Sequence, residues 1–225
     1  MLYGATTRPE YNAIMSYPIS RRIFVPLLRP RIMSLSGLEN VPKTGPAIYV
    51  ANHVSEQDAI LIAAAIIPYT HGKKIYSISK WKILSFPLWK KWLGTIPIYR
   101  DRGKTIDESM RLLRAGRSVL VFPEGGINTD NVIEKAKTGA ARLSLSTTIP
   151  VIPIGLRRTS PPPKTPLGFF MEIFFGRLHI TIGSPIDLKK WHDRPIDRTL
   201  LDEVNQIIMS RIAHLAGKHY QPEQS

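Results

Sequence analysis

An imidazole and a carboxylate stand five residues apart in Ala51-Asn52-His53-Val54-Ser55-Glu56-Gln57-Asp58. If the chain leaves a strand and enters a helix here, His53 lies in the turn and Asp58 in the first helical turn. The carboxylate can then reach back to one ring nitrogen. It would fix the tautomer, stabilise the imidazolium and leave the other nitrogen free as a general base. Such a base can act on a substrate hydroxyl, so no serine nucleophile is required. The same letters also fit a capping box, with Ser55 as N-cap and Asp58 three residues on. His53 would then be a turn residue without chemistry. A metal site on His53 and Glu56 lacks a third ligand and an HExxH pattern, so no metal is expected.

Two further segments carry groups that bind anions or approach ligands. In Pro97-Ile98-Tyr99-Arg100-Asp101-Arg102-Gly103-Lys104, three cations alternate between a strand end and a helix. Helix N-termini favour anions, and arginine forks grip phosphate bidentately. A solvated basic loop is the plainer reading. In Val121-Phe122-Pro123-Glu124-Gly125-Gly126-Ile127-Asn128, a strand runs into a turn with one acid and two glycines. Glycines let the backbone approach a ligand and present free N–H groups. A plain loop would use the same residues. All three segments follow strands, which is where α/β folds place ligands.

Those segments need a scaffold that gathers strand ends. Residues 32–35, 47–50, 74–78, 95–99, 118–122 and 151–156 read as strands, and 171–175 with 178–182 as a strand pair. Residues 58–67 read as a buried helix, packing in the core or lining an apolar channel. Residues 81–93 read as helix broken near Pro87, and 139–145 and 196–215 as helices. Thr105 and Glu108 form a capping box that starts a helix over 105–115. Pro161, Pro162 and Pro163 make a loop. Strands alternating with helices predict an α/β fold, a mixed, largely parallel sheet flanked by helices.

Composition narrows the partners. The chain has 225 residues, enough for one compact domain with a full core, and no cysteine. That excludes disulfides, a thiolate metal site and a cysteine acyl-enzyme. The net charge is +14, and 13 of the 31 basic but only 4 of the 17 acidic residues fall within 1–100. Such a surface attracts nucleic acid, a phosphorylated substrate or acidic lipid. No zinc-finger spacing, helix-turn-helix or aromatic-basic sheet motif is present, so no nucleic acid is expected.

Membrane contact suits two stretches. Prolines 9, 18, 26 and 30 divide the start into short helices, in which Ile19, Ile23, Phe24, Leu27 and Leu28 alternate with arginines. Residues 1–33 therefore read as amphipathic membrane-contact helices, with 34–225 as the main domain. A helix packed on the core with a basic outer face is the alternative. Trp81, Trp89 and Trp92 stand among four lysines, a mixture suited to a headgroup interface or to a core helix with solvated lysines. The longest apolar run, 59–67, is far short of the roughly 18 residues of a span. The first residues lack an apolar leader. A peripheral or monotopic protein on the cytoplasmic face of a membrane is expected.

Asn52-His53, four residues and Asp58 resemble the NHxxxxD motif of the lysophosphatidic acid and glycerol-3-phosphate acyltransferase family. Pro97-Ile98-Tyr99-Arg100 resembles that family's second block, Phe122-Pro123-Glu124-Gly125 its third and Val151-Ile152-Pro153-Ile154 its fourth. Lys137-Thr138-Gly139 resembles its Lys-x-Gly stretch. Order and approximate spacing agree from about residue 36 to about residue 185. The resemblance implies acyl transfer from acyl-CoA or acyl-carrier protein to a lysophospholipid hydroxyl, with no further cofactor. The first acceptor to consider is 1-acyl-glycerol-3-phosphate, giving phosphatidic acid. His53 would be the base and Asp58 its partner, with no covalent enzyme intermediate. Arg100 would hold the acceptor phosphate, and Glu124 and Gly125, beside Gly126, would position the acceptor. The third block departs from the family's usual FPEG-Thr-Arg-Ser, continuing instead Gly126-Ile127-Asn128. Either Arg100, Arg102, Lys104 or Lys137 replaces that arginine, or the acceptor differs. An apolar residue followed by Asn also resembles the tafazzin branch, which exchanges acyl chains between phospholipids. A transacylase, or an acyltransferase for another lyso-lipid such as a lyso-amino-lipid, is the alternative.

Overall fold

The computed structural model describes residues 22–23, 25–79, 94–133, 135–159, 165 and 177–221. Its strands are β1 (Ile32–Ser36), β2 (Ile48–Ala51), β3 (Ile75–Ser79), β4 (Gly94–Pro97), β5 (Ser118–Val121), β6 (Val132–Ile133), β7 (Val151–Arg158), β8 (Leu178–Ile182) and β9 (His219–Tyr220). Its α-helices are α1 (Asp58–Ile66), α2 (Arg102–Arg114), α3 (Gly139–Leu145), α4 (Lys189–His192) and α5 (Arg198–Ala216).

Seven strands make one sheet in the order β1-β8-β7-β2-β5-β3-β4. Within it only the β7–β8 pairing is antiparallel, so β1 and β8 run against the other five. The fold is the mixed, largely parallel α/β sheet that the strand–helix alternation predicts. β2 is buried at every residue, as a central strand covered on both faces must be. Its pleat sends Tyr49 and Ala51 to one side and Ile48 and Val50 to the other. On the first side they meet α1, whose 61–66 stretch is apolar on every face and therefore sits inside. On the second side they meet α2, α3 and α5. The strands β2, β5, β3 and β4 therefore end along one edge of a three-layer sandwich.

Local chemistry moves two boundaries. α2 begins at Arg102, where the Asp101 carboxylate accepts the Gly103 N–H at 2.9 Å. The capping box expected at Thr105 and Glu108 does not form. Thr105 Oγ1 instead accepts the Tyr99 N–H at 3.1 Å, and Glu108 pairs with Arg111 at 2.7 Å. At the far end, Gly217 adopts φ +64°, a left-handed cap open to glycine at no steric cost. The chain reverses there and lays β9 parallel to β6, with Val132 opposite His219 and Ile133 opposite Tyr220. Neither this small ladder nor α4 is expected from the sequence.

Residues 22–23 and 25–28 are helical. Val25 and Leu28 join the core beside α1, while Ile23 and Leu27 are 59% and 55% exposed. Among the described residues no helix is long and apolar enough to cross a membrane. The expected helices before residue 22, the tryptophan-lysine stretch 81–93, the proline loop and the strand at 171–175 lie outside the described residues.

Candidate active site

The ladder between β2 and β7 ends with Ala51 opposite Ile154. The next residue continues it with a side chain. Asn52 Nδ2 donates to the Leu156 carbonyl at 2.9 Å, and the Leu156 N–H donates to Asn52 Oδ1 at 2.7 Å. Asn52 is fully buried. It thus extends the strand contact while letting its own backbone turn out of the sheet. That turn delivers His53 to the strand edge.

Asp58, at the start of α1, is fully buried. Its Oδ2 accepts three hydrogen bonds, from Val54 N at 2.6 Å, Ser55 N at 2.9 Å and His53 Nδ1 at 2.8 Å. Ser55 Oγ accepts the Gln57 N–H at 3.3 Å. The capping box expected on Ser55 does not form, since α1 begins at Asp58 after Gln57 without a side-chain cap and the Asp58 N–H meets the Ser55 carbonyl at 3.1 Å; the imidazole–carboxylate contact does. An ionised carboxylate only accepts, so Nδ1 carries the ring proton of neutral His53. Nε2 is left with a lone pair, and the side chain keeps 17% exposure.

Three groups hold the imidazole and its backbone. Val50 pairs with Val121 in the adjacent strand β5, so the strand ends lie side by side. Phe122 stacks on the His53 ring with centroids 4.2 Å apart and planes 18° from parallel. Glu124 Oε1 accepts the His53 N–H at 3.1 Å, and the Asn128 N–H donates to the His53 carbonyl at 2.7 Å. Glu124 Oε2 accepts from Asn128 Nδ2 at 2.9 Å, and that same nitrogen donates to the Val132 carbonyl at 2.9 Å. One loop thus clamps both backbone polar atoms of His53. Burial raises the Glu124 pKa, against the opposing pull of these hydrogen bonds and of the charges on Lys218 and His53.

This geometry changes the reading of Glu124. Expected at the acceptor, it instead directs both oxygens to the His53 loop. Gly125 has φ +71°, and a Cβ there would collide with the end of the Lys137 side chain. Lys137 is held by its own N–H to the Pro123 carbonyl at 2.9 Å. Its ammonium therefore lies over the glycine turn, while Gly126 is exposed. Arg100, Arg102 and Lys104 are exposed at the end of β4 and the start of α2. β4 is three strands from β2, a lateral separation of roughly 14 Å. They stand at the same edge as the dyad but not in its hydrogen-bond network.

Two participants are missing from the sequence reading. Asn128 had a signal, because it occupies the position where the third block departs from its usual letters. Lys218 had none: its Nζ donates to the Asn128 carbonyl at 3.3 Å across 90 residues. Among the described residues, no group of three or more His, Asp or Glu side chains is placed to hold a metal ion.

A family model described as Acyltransferase matches residues 33–157. A chloroplastic 1-acyl-sn-glycerol-3-phosphate acyltransferase of Arabidopsis thaliana is 32% identical over 162 residues, covering 68% of this chain and 43% of that protein. The 1-acyl-sn-glycerol-3-phosphate acyltransferase of Escherichia coli is 28% identical over 184 residues, covering 76% and 69%. The chain spans about half the length, or less, of the first curated relatives it matches. The crystal structure of the 1-acyl-sn-glycerophosphate acyltransferase PlsC from Thermotoga maritima superposes with a TM-score of 0.62 at 19% identity, covering 95% of this chain and 85% of that one. That likeness shows a shared fold. Because the family match covers more than half of the chain, with β2, β5 and the whole turn from His53 to Asp58, the chain belongs to the acyltransferase family.

Proposed function

We propose that the chain moves an acyl group from a thioester to the free hydroxyl of a lysophospholipid. The observation that carries this reading is the 2.8 Å contact of His53 Nδ1 with the buried Asp58 carboxylate, which leaves Nε2 as a base. The acceptor hydroxyl gives its proton to Nε2 as its oxygen attacks the thioester carbonyl. The tetrahedral intermediate expels the thiolate, and the imidazolium returns the proton to sulfur. Asp58 stabilises the imidazolium between these steps. Products are an ester and a free thiol, so the reaction needs no cofactor beyond its acyl donor, acyl-CoA or acyl-carrier protein. The names of the relatives make 1-acyl-glycerol-3-phosphate the first acceptor to test. Arg100, Arg102 and Lys104 at the α2 start, with Lys137 over Gly125, supply cations for its phosphate.

Residues 1–33 serve in this reading as the membrane-contact segment and 34–225 as the catalytic domain. Exposed Ile23 and Leu27, on a segment that also exposes Arg22 and Arg29, support contact with an anionic surface. A peripheral or monotopic placement on the cytoplasmic face is part of the same reading.

The test is thiol release and lipid mass with labelled acyl donors. His53→Ala is expected to lose at least about a hundredfold in rate while keeping its melting temperature, since general-base catalysis contributes ~10²–10⁴-fold. Activity retained in His53→Ala overturns the proposal. A second acceptor class is favoured by one observation: Ile127, 42% exposed, stands where the family's third block usually has arginine. A panel of lyso-lipids with and without headgroups decides it. Preference for a headgroup-bearing acceptor, or for a phospholipid donor, selects the transacylase-like reading.

A further inference from the structure

The family match ends at residue 157, yet a cation from far beyond it reaches the His53 loop. Lys218 follows the left-handed cap Gly217, and its own N–H donates to the Ala213 carbonyl at 2.9 Å. The His219 N–H donates to the Asn131 carbonyl at 2.9 Å, and the β6–β9 ladder follows. The backbone on both sides of Lys218 is therefore fixed. Its half-buried side chain runs to the 124–130 loop, where Nζ meets the Asn128 carbonyl at 3.3 Å.

We propose that Lys218 is a positioning residue for His53: its ammonium fixes Asn128, which is hydrogen-bonded to Glu124, and these two residues hold the His53 backbone. The kinetic arm of this proposal rests on the acyl-transfer reading above; the structural arm does not. The surroundings favour positioning over capture of an acceptor phosphate. The charges of Glu124, Asp130 and Asp58 all attract the Lys218 ammonium. An incoming phosphate would meet the repulsion of those three carboxylates. Glu124 in turn faces Lys218 and His53 as charged or titratable groups, and neutral Asn128. Burial pushes the lysine down and the glutamate up, and their mutual attraction opposes both shifts. Removing the lysine charge should let Glu124 take up a proton more readily and weaken its hold on the His53 N–H.

The experiment compares the full chain as wild type, Lys218→Arg and Lys218→Met. Carboxyl ¹³C resonances of labelled glutamate are followed against pH, with Glu124→Gln assigning the Glu124 signal. Lys218→Met is expected to move the Glu124 titration to higher pH, and Lys218→Arg to restore it. With acyl donor and 1-acyl-glycerol-3-phosphate, Lys218→Met is expected to lower kcat about tenfold, the scale of one weakened buried hydrogen bond. KM for the acceptor stays within about twofold, and the acid limb of the kcat profile moves to higher pH with the Glu124 titration. An unchanged Glu124 titration overturns the proposal. So does a raised acceptor KM at unchanged kcat, which would make Lys218 a phosphate ligand. Should Lys218→Met fail to fold, Lys218→Gln keeps an N–H for Asn128 and carries the same titration. If the wild type transfers no acyl group, the acyl-transfer reading fails while the Glu124 titration still decides this one.

Discussion

Glu124 Oε1 receives the backbone N–H of His53 at 3.1 Å, so the acid of the third block supports the histidine of the first. Its other oxygen faces the Asn128 amide at 2.9 Å. Glu124→Gln preserves the size and one acceptor but turns an NH₂ toward the NH₂ of Asn128. A buried donor left against a donor costs ~1–3 kcal/mol. We expect kcat to fall at least about fivefold with KM for both substrates nearly constant. A kcat within twofold of wild type would show that the clamp is dispensable.

The same substitution changes stability with pH. Burial raises the native pKa of Glu124 above its ordinary value of 4.5. The native state therefore holds this proton more tightly than the unfolded chain. Its contribution to stability falls as pH rises from about the ordinary value through the raised native one. Glu124→Gln removes that dependence. Its Tm relative to wild type should rise with pH across this window, in parallel thermal melts. A constant difference would contradict the raised native value.

Asp58→Asn tests the charge behind the imidazole at constant shape. Asp58 Oδ2 accepts from Val54 N, Ser55 N and His53 Nδ1. In the Asp58→Asn variant the amide oxygen can keep all three contacts, with the NH₂ at the position of Oδ1, which has no partner among the described residues. Nδ1 then keeps its proton, but the carboxylate charge that would stabilise the imidazolium is lost. A loss of at least about a hundredfold in kcat is expected, comparable to removing His53 itself. Imidazole ¹⁵N shifts read the tautomer directly. An Asp58→Asn enzyme with protonated Nδ1 and near-normal kcat would contradict the dyad.

Much of this was legible because strong local patterns agreed with the fold. The central strands are short apolar runs, and α3 begins and ends at the residues its pattern predicts. The start of α2 was misplaced because Thr105 and Glu108 satisfy a capping pattern by letter, while Asp101 satisfies it by geometry. The motif letters say which residues gather at the strand ends but not where each side chain points. Asn52 proves to be a strand extender, and Glu124 faces the His53 loop. Lys218 could not be read, since its place depends on two-residue strands that pair only after the chain has closed on itself.

Arg100 should act on binding rather than on chemistry. It is exposed at the end of β4, three strands from β2. An arginine fork at that edge can take a phosphate while the hydroxyl lies at Nε2. Arg100→Gln should raise KM for 1-acyl-glycerol-3-phosphate about tenfold and leave kcat within about threefold, since a charged hydrogen bond contributes ~1.5–3 kcal/mol. Added salt should narrow the difference from wild type, because exposed charges are screened. An equal fall in kcat at saturating acceptor would place Arg100 in the chemical step instead.

Asn52 separates fold from catalysis within one motif. Its amide makes two hydrogen bonds to Leu156 and is wholly buried between β2 and β7. Asn52→Leu has a similar volume but leaves the Leu156 N–H and carbonyl without those partners. Each stranded group costs ~1–3 kcal/mol, a large share of the stability of a domain. The variant should unfold at markedly lower urea concentration with an unchanged m-value. Asn52→Asp keeps an acceptor for the Leu156 N–H but sets a carboxylate against the Leu156 carbonyl, so it should be at least as unstable. At temperatures where Asn52→Leu remains folded, kcat should fall far less than in His53→Ala, because Asn52 touches neither ring nitrogen. A stable Asn52→Leu protein with kcat as low as His53→Ala would move Asn52 from the frame into the chemistry.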